Sequence, residues 1–381
     1  MAKVRFSDVV KRVNINVDRF NTDRLYYIGG EHIDSQAFMV RKHGLIKGST
    51  IGYKFHFGCN PGHILFMSRN PHLRKCSMID VPSVCSDSTY VVETRDEEIL
   101  SQRYLLLEMQ SDRFWEWAEE NKSGSVNYLI NYCTLEGYEF DLPPIEKQRE
   151  LAELLWAAND LKESYKKLIV ATDEMLKAKF REIADQALDF RSVALADLVA
   201  DTFPGEWGDE DIDGNGVKVL RTTNFTNTGS IDYSEIVTRR IDAKKVERKC
   251  IQQGDVILER SGGTQENPVG RVVYFDQDGV FLCNNFTQVI RFSCQVESLY
   301  MFYDMFFYYQ ENKAKIRSMG HQTTGIQNLK MKEYLARKTK VPPLAIQQEF
   351  VEIARKAEET KAALKKSIVD VEQVIKGLIN R

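Results

Sequence analysis

Apolar residues recur at three- and four-residue steps over two long stretches and gather in short runs elsewhere. The first stretch, Leu142–Phe180, sets Leu151, Leu154, Leu155, Ala158, Leu161, Tyr165, Leu168, Thr172, Met175 and Leu176 on helical spacing. The second, Val341–Ile379, does the same with Phe350, Ile353, Ala357, Leu364, Ile368, Val371, Val374, Ile375 and Leu378. Each opens on Pro-Pro, which can start a helix but not continue one, and neither meets Gly or Pro again before Gly377. The pattern predicts two continuous helices of about 35 residues, roughly 50 Å long. A narrow apolar seam among Lys and Glu further predicts that they pair as a coiled coil.

The two stretches are copies. At a constant offset of 199 residues they align without a gap and match at 12 of 39 positions, including Pro143/Pro342, Gln148/Gln347, Lys162/Lys361 and Val170/Val369. Ahead of each lies a longer segment of short β-type runs and a late aromatic helix, near Leu100–Glu120 and Glu297–Met319. Landmarks repeat there too: Val4–Val10 resembles Val193–Val199, and Gly62–Leu65 resembles Gly254–Ile257. The expected domains are 1–141, a helix over 142–185, a second domain over 186–340, and a helix over 341–381. The fold class is α+β: two mixed α/β domains separated by two long antiparallel helices, with a pseudo-two-fold internal repeat.

Charge sharpens this picture. The net charge is −3, yet residues 1–79 hold 13 Lys/Arg against 5 Asp/Glu, and residues 80–141 hold 4 against 14. Residues 218–250 hold 8 basic against 4 acidic, after seven acids without a base between Asp197 and Asp213. A basic face suits phosphate, and an acidic one suits solubility or a basic partner. No window approaches a membrane span, and the start of the chain leads into no apolar signal region. Seven scattered cysteines without a C-x-x-C pair point to reduced thiols and a cytoplasmic setting.

Motifs for catalysis are missing. There is no phosphate-cradling G-x-x-x-x-G-K-[ST], no G-x-G-x-x-G after a strand, no N-P-P-aromatic tetrapeptide and no G-x-S-x-G. Cys59, His63, His72 and Cys76 have zinc-competent chemistry, but the usual tight pair is absent and the second half has no counterpart. The chain itself is expected to hold no metal and no cofactor.

Polar loops offer recognition chemistry instead. In the second domain these are Arg221, Thr222, Thr223 and Asn224; Arg260, Ser261, Thr264 and Gln265; and Gln322, Thr323, Thr324 and Gln327. Glycines beside Arg260 allow a close approach to backbone phosphate. In the first domain the basic candidates are Arg41, Lys42, Lys47, Lys54, Arg69, Arg74 and Lys75.

Two variable segments, each followed by a P-P-x3-Q helix (LPPIEKQREL and VPPLAIQQEF), with GDVILERSGG and TTGIQNL, resemble the specificity (S) subunit of type I restriction-modification systems. The resemblance spans essentially the whole chain. It implies two target recognition domains, each reading half of a bipartite, asymmetric site on double-stranded DNA, with helix length setting the unread spacer. It also implies docking of two modification (adenine methyltransferase) subunits and of restriction/translocase subunits. S-adenosylmethionine, ATP and Mg would then belong to those partners, and this chain would be non-catalytic. The competing readings are an enzyme with an unrecognised metal or nuclease site, and a coiled-coil scaffold with no nucleic-acid role.

Overall fold

The computed structural model describes residues 2–186, 190–323 and 326–380. Two compact units emerge, one formed by 1–168 with 363–381 and the other by 169–362. Each therefore owns part of both long helices, which run over Ile145–Asp185 and Leu344–Ile379.

The globular part of the first unit begins and ends on a two-stranded ladder, Ala2–Arg5 against Glu139–Leu142. Between them stand a four-stranded sheet and a five-stranded sheet built on Phe55–Cys59, Ser83–Ser86 and Tyr26–Ile28. Ile64–Met67 is buried along its whole length, as its unbroken apolar run requires. Phe66, Phe114, Trp115 and Tyr138 centre the core under the helix Gln102–Gln110. Leu155 and Trp156 of the central helix join that core, as does Ile375 of the C-terminal helix.

The second unit repeats this plan. Arg191–Ala194 pairs with Lys338–Val341, and Val256–Glu259 lies between Thr287–Phe292 and Val272–Tyr274. Its aromatic helix, Ser298–Glu311, packs Tyr300, Tyr303 and Phe307 against Phe180 and Phe350. Here the long helices run antiparallel, since Asp173 faces Lys361 while Phe180, further on, faces the earlier Phe350.

The Pro-Pro-x3-Gln signature now has a physical role. Gln148 is buried; its Oε1 accepts from Ser101 N at 3.0 Å, the residue before the aromatic helix, and its Nε2 donates to Pro143 O at 2.8 Å. Gln347 repeats this with Glu297 N at 2.9 Å and Pro342 O at 2.8 Å. One amide thus satisfies a free helix-start N–H and a proline carbonyl that cannot enter the helix ladder.

The expected seam needs correcting. Leu154, Leu161, Leu168 and Met175 are 55%, 44%, 49% and 47% exposed, whereas Ala152, Leu155, Trp156, Leu176, Phe180 and Ile183 are buried. The central helix carries two apolar faces, and the globular cores cover only one.

Candidate nucleic-acid interface

In the second unit, strand Val217–Leu220 runs parallel to Phe281–Cys283, so the turns leaving both lie at one end. Asn284 N donates to Leu220 O at 2.8 Å. Strand Val256–Glu259 delivers Arg260 to the same place, where Arg260 N and Ser261 N both donate to Phe286 O at 2.9 and 3.0 Å. The hairpin Gly320–Thr323/Ile326–Leu329 joins through Ser261–Gly262, and Leu329 N donates to Arg260 O at 2.8 Å. Three loops separated in sequence therefore meet at one end of the unit.

A buried ion pair holds them. Arg271 Nε lies 2.7 Å from Glu259 Oε2, while its Nη groups donate to Thr222 O at 3.1 Å and Phe225 O at 3.2 Å. Burial works against the Arg271 charge, yet Glu259 outweighs it and holds the guanidinium above its ordinary range. Gly263 sits at φ +72°, and a Cβ there would lie 2.6 Å from Val269 N, so only glycine fits this loop.

The residues singled out from sequence divide accordingly. Thr223, Thr264 and Gln265 are exposed, and Arg221, Thr222, Arg260 and Gln327 are partly so. Arg260 Nη1 leans on Gln288 Oε1 at 3.4 Å, and Arg221 Nη2 reaches Glu235 O at 3.3 Å while its Nε has no partner. Asn224 is a correction: it is 4% exposed, accepts from Arg221 N and donates to Asp232 O and Glu235 O, so its amide builds the turn. Ser261 is likewise buried, donating to Asn328 Oδ1 at 2.6 Å. Thr324 and the side chains of Gln322 and Thr323 lie outside the described residues. Sequence reasoning missed Phe286, Lys313 and Arg317. Lys313 donates to Asn267 Oδ1 at 3.0 Å and Arg317 to Gln265 O, pinning the Thr264 loop. Their basic helix, Lys313–Ser318, was the available signal.

The first unit has the same frame. Ser68 follows Ile64–Met67; its N–H donates to Ser88 O at 2.9 Å, and its carbonyl accepts from Ile130 N at 2.8 Å. Ser123 and Leu129 exchange bonds of 2.8 and 2.9 Å, making 123–129 the counterpart of the 320–329 hairpin. Arg69 and Lys54 are exposed near this edge, Lys54 lying 3.9 Å from Asp87. Lys47 is exposed on a separate loop. Arg41 and Lys42 pair with Asp80 at 3.5 Å and Asp34 at 2.7 Å.

Two more of the basic candidates, both half-buried, are engaged within the fold. Arg74 is held by Asp112, and Lys75 Nζ donates to Gly30 O at 2.5 Å. Arg12 lies 4.8 Å from the Tyr90 ring and close to Phe57 and Tyr132, so part of the basic excess is structural.

Among the described residues no three of His, Cys, Asp or Glu converge as metal ligands. Cys59 Sγ donates to Ser83 O at 3.3 Å, and burial pushes the Cys76 thiol upward, as suits packed side chains. No described helix is long and apolar enough to cross a membrane.

Residues 200–373 match the type I restriction modification DNA specificity domain. Two solved structures share the fold of the entire chain. One, from a study of assembly and conformational transition in a type I R-M system, is 15% identical with a TM-score of 0.56, over 99% of this chain and 96% of that one. The other, the type I restriction-modification S subunit from M. genitalium, is 11% identical with a TM-score of 0.60, over 99% and 94%. No curated protein sequence matches the chain.

Proposed function

We propose that the chain is a type I restriction-modification DNA specificity subunit whose two units each read one half of a split site. The observation that carries this reading is the recurrence of one loop frame: Ser68, the 86–88 turn and the 123–129 hairpin in the first unit, and Arg260, the 284–287 turn and the 320–329 hairpin in the second. A frame repeated on different side chains gives two readers of different sequence, hence an asymmetric target on double-stranded DNA. Arg260, Arg221, Thr223, Thr264, Gln265 and Gln327 are the contacts proposed for the second half-site. Arg69, Lys54 and Lys47 are those proposed for the first.

The chain's own role is to bind and position. Methyl transfer and cleavage, with S-adenosylmethionine, ATP and Mg, fall to two modification subunits and to restriction subunits. Leu154, Leu161 and Leu168 of the first unit recur every seven residues on an exposed helix face, a period that suits a partner helix. Exchanging residues 186–340 for the same region of a related subunit tests the reading, with methylation sites mapped by sequencing. One half-site should change and the other should stay; alteration of both or of neither rejects it.

A further inference from the structure

The repeat lets one unit serve as a template for the other. Gln148 and Gln347 bind Ser101 N and Glu297 N, which sets the aromatic helices in register: Leu107 corresponds to Tyr303 and Gln110 to Phe306. Along the long helices Asn159, Lys162 and Glu372 correspond to Glu358, Lys361 and Asp173. In both units the long-helix positions, with Gln110 and Phe306, border a cavity, of 550 Å³ in the first and 270 Å³ in the second.

The second unit has completed its own version. Lys361 Nζ lies 2.5 Å from Asp173 and 2.7 Å from Glu358, and Tyr303 OH donates to Glu358 Oε1 at 2.9 Å. The rings of Tyr303, Phe306 and Phe307 line the remaining space, on a helix of 14 residues. In the first unit the corresponding helix stops after 9, at Gln110. Leu107 is buried elsewhere, and the ring that lines this cavity, Phe38, comes from outside the helix and packs edge-on to Trp156 at 5.3 Å.

Polar groups are left waiting there. Asn159 is 3% exposed and lines the cavity. Gln110 is 4% exposed; its Nε2 donates to Ala37 O and Cys76 O, but its Oε1 has no partner. Lys162 stands 3.7 Å from Glu372, and burial, outweighing that carboxylate, holds its ammonium below the usual lysine range. Gln36 at the rim adopts φ +53°, a left-handed conformation fixed by its N–H bond to Arg74 O at 3.0 Å. A buried amide oxygen without a partner costs stability, so the retention of Gln110 fits a site completed by another molecule.

We infer that this cavity receives a tyrosine side chain from a partner subunit, its ring in the space that Tyr303 and Phe306 fill in the second unit and its hydroxyl bonded to Asn159 and Gln110. The inference rests on the specificity-subunit reading, which makes a modification subunit the partner to test.

The full chain is assembled with its modification subunit, as wild type and as Gln110→Phe, which installs the ring of the second unit. The variant should stay folded, with a melting temperature lowered by the lost bonds to Ala37 O and Cys76 O, and bind the modification subunit at least tenfold more weakly. A photo-crosslinking benzoylphenylalanine at Met39, a lining residue, should join a modification-subunit peptide that contains tyrosine. Tyrosine-to-phenylalanine exchange in that peptide should then weaken assembly. Undiminished assembly by a folded Gln110→Phe variant overturns the inference, as does a crosslinked peptide without tyrosine or a crosslink only within this chain. If Gln110→Phe unfolds, the crosslink alone decides. Failure of the wild type to bind any modification subunit would overturn the underlying reading, and this one with it.

Discussion

Gln148 shows how much one side chain can settle. Its amide satisfies Ser101 N, which is buried, and Pro143 O and Ile99 O, which are partly so. Gln148→Ala should lose about 1–3 kcal/mol for each group left orphaned, read as a lower midpoint in chemical denaturation. Gln148→Glu should fall between, because it keeps an acceptor but loses the donor. His63 gives a pH-dependent case. It is 9% exposed, with Asn60 N donating to its Nδ1 and Glu93 3.5 Å from its Nε2; burial, ahead of the opposing Glu93, pulls its pKa down, helped by Arg24 and Lys11. The unfolded chain therefore takes up a proton near pH 6.5 that the native imidazole refuses until lower pH. Stability should be intact above about pH 6.5 and decline as pH falls below it, and His63→Gln should flatten that part of the curve. At this scale the sequence was a partial guide. Asn224 carries the right chemistry for a base edge, but its neighbours Asp232 and Glu235 present carbonyls that claim the amide. Composition cannot reveal that competition.

The central helix makes the same point for elements. Its length and start were legible from Pro143-Pro144 and the unbroken spacing, because those depend on local backbone preferences. Which apolar face is covered depends on the domain packed beside it, and periodicity does not encode that. Leu155→Glu should therefore unfold the first unit, since Leu155 is 0% exposed and an unpartnered buried charge costs several kcal/mol. Leu161→Glu should leave the thermal midpoint nearly unchanged, within about 0.5 kcal/mol, because the site is open to solvent. Size-exclusion chromatography with the modification subunit should nevertheless show weaker assembly for Leu161→Glu. The 123–129 hairpin matches its counterpart poorly in sequence for a different reason. Its likeness to 320–329 lies in backbone hydrogen bonds, not in side chains.

For the molecule as a whole, the duplication was legible because identities such as Gln148/Gln347 and Lys162/Lys361 serve the same contacts in both copies. Base specificity was not, because it depends on where each loop aims its side chains. Methylation of single-base variants of the target separates the possible roles. An arginine bidentate to guanine should contribute about 1–3 kcal/mol at one position, whereas a phosphate contact should weaken every sequence alike. Arg260→Ala, at the junction of the turn and the hairpin, is expected to act at one position. Arg221→Ala is expected to weaken all targets, because its guanidinium leans on the backbone of 235.

The ladders Ala2–Arg5/Glu139–Leu142 and Arg191–Ala194/Lys338–Val341 carry a consequence for inheritance. The chain enters each globular part and leaves it side by side, on two paired strands. Such a part is a cassette with both ends on one plug. Genetic crossovers within these short strands would deliver a whole new reader while leaving the helix that follows intact. New target sequences can thus arise by exchange of finished modules, without passing through half-built intermediates.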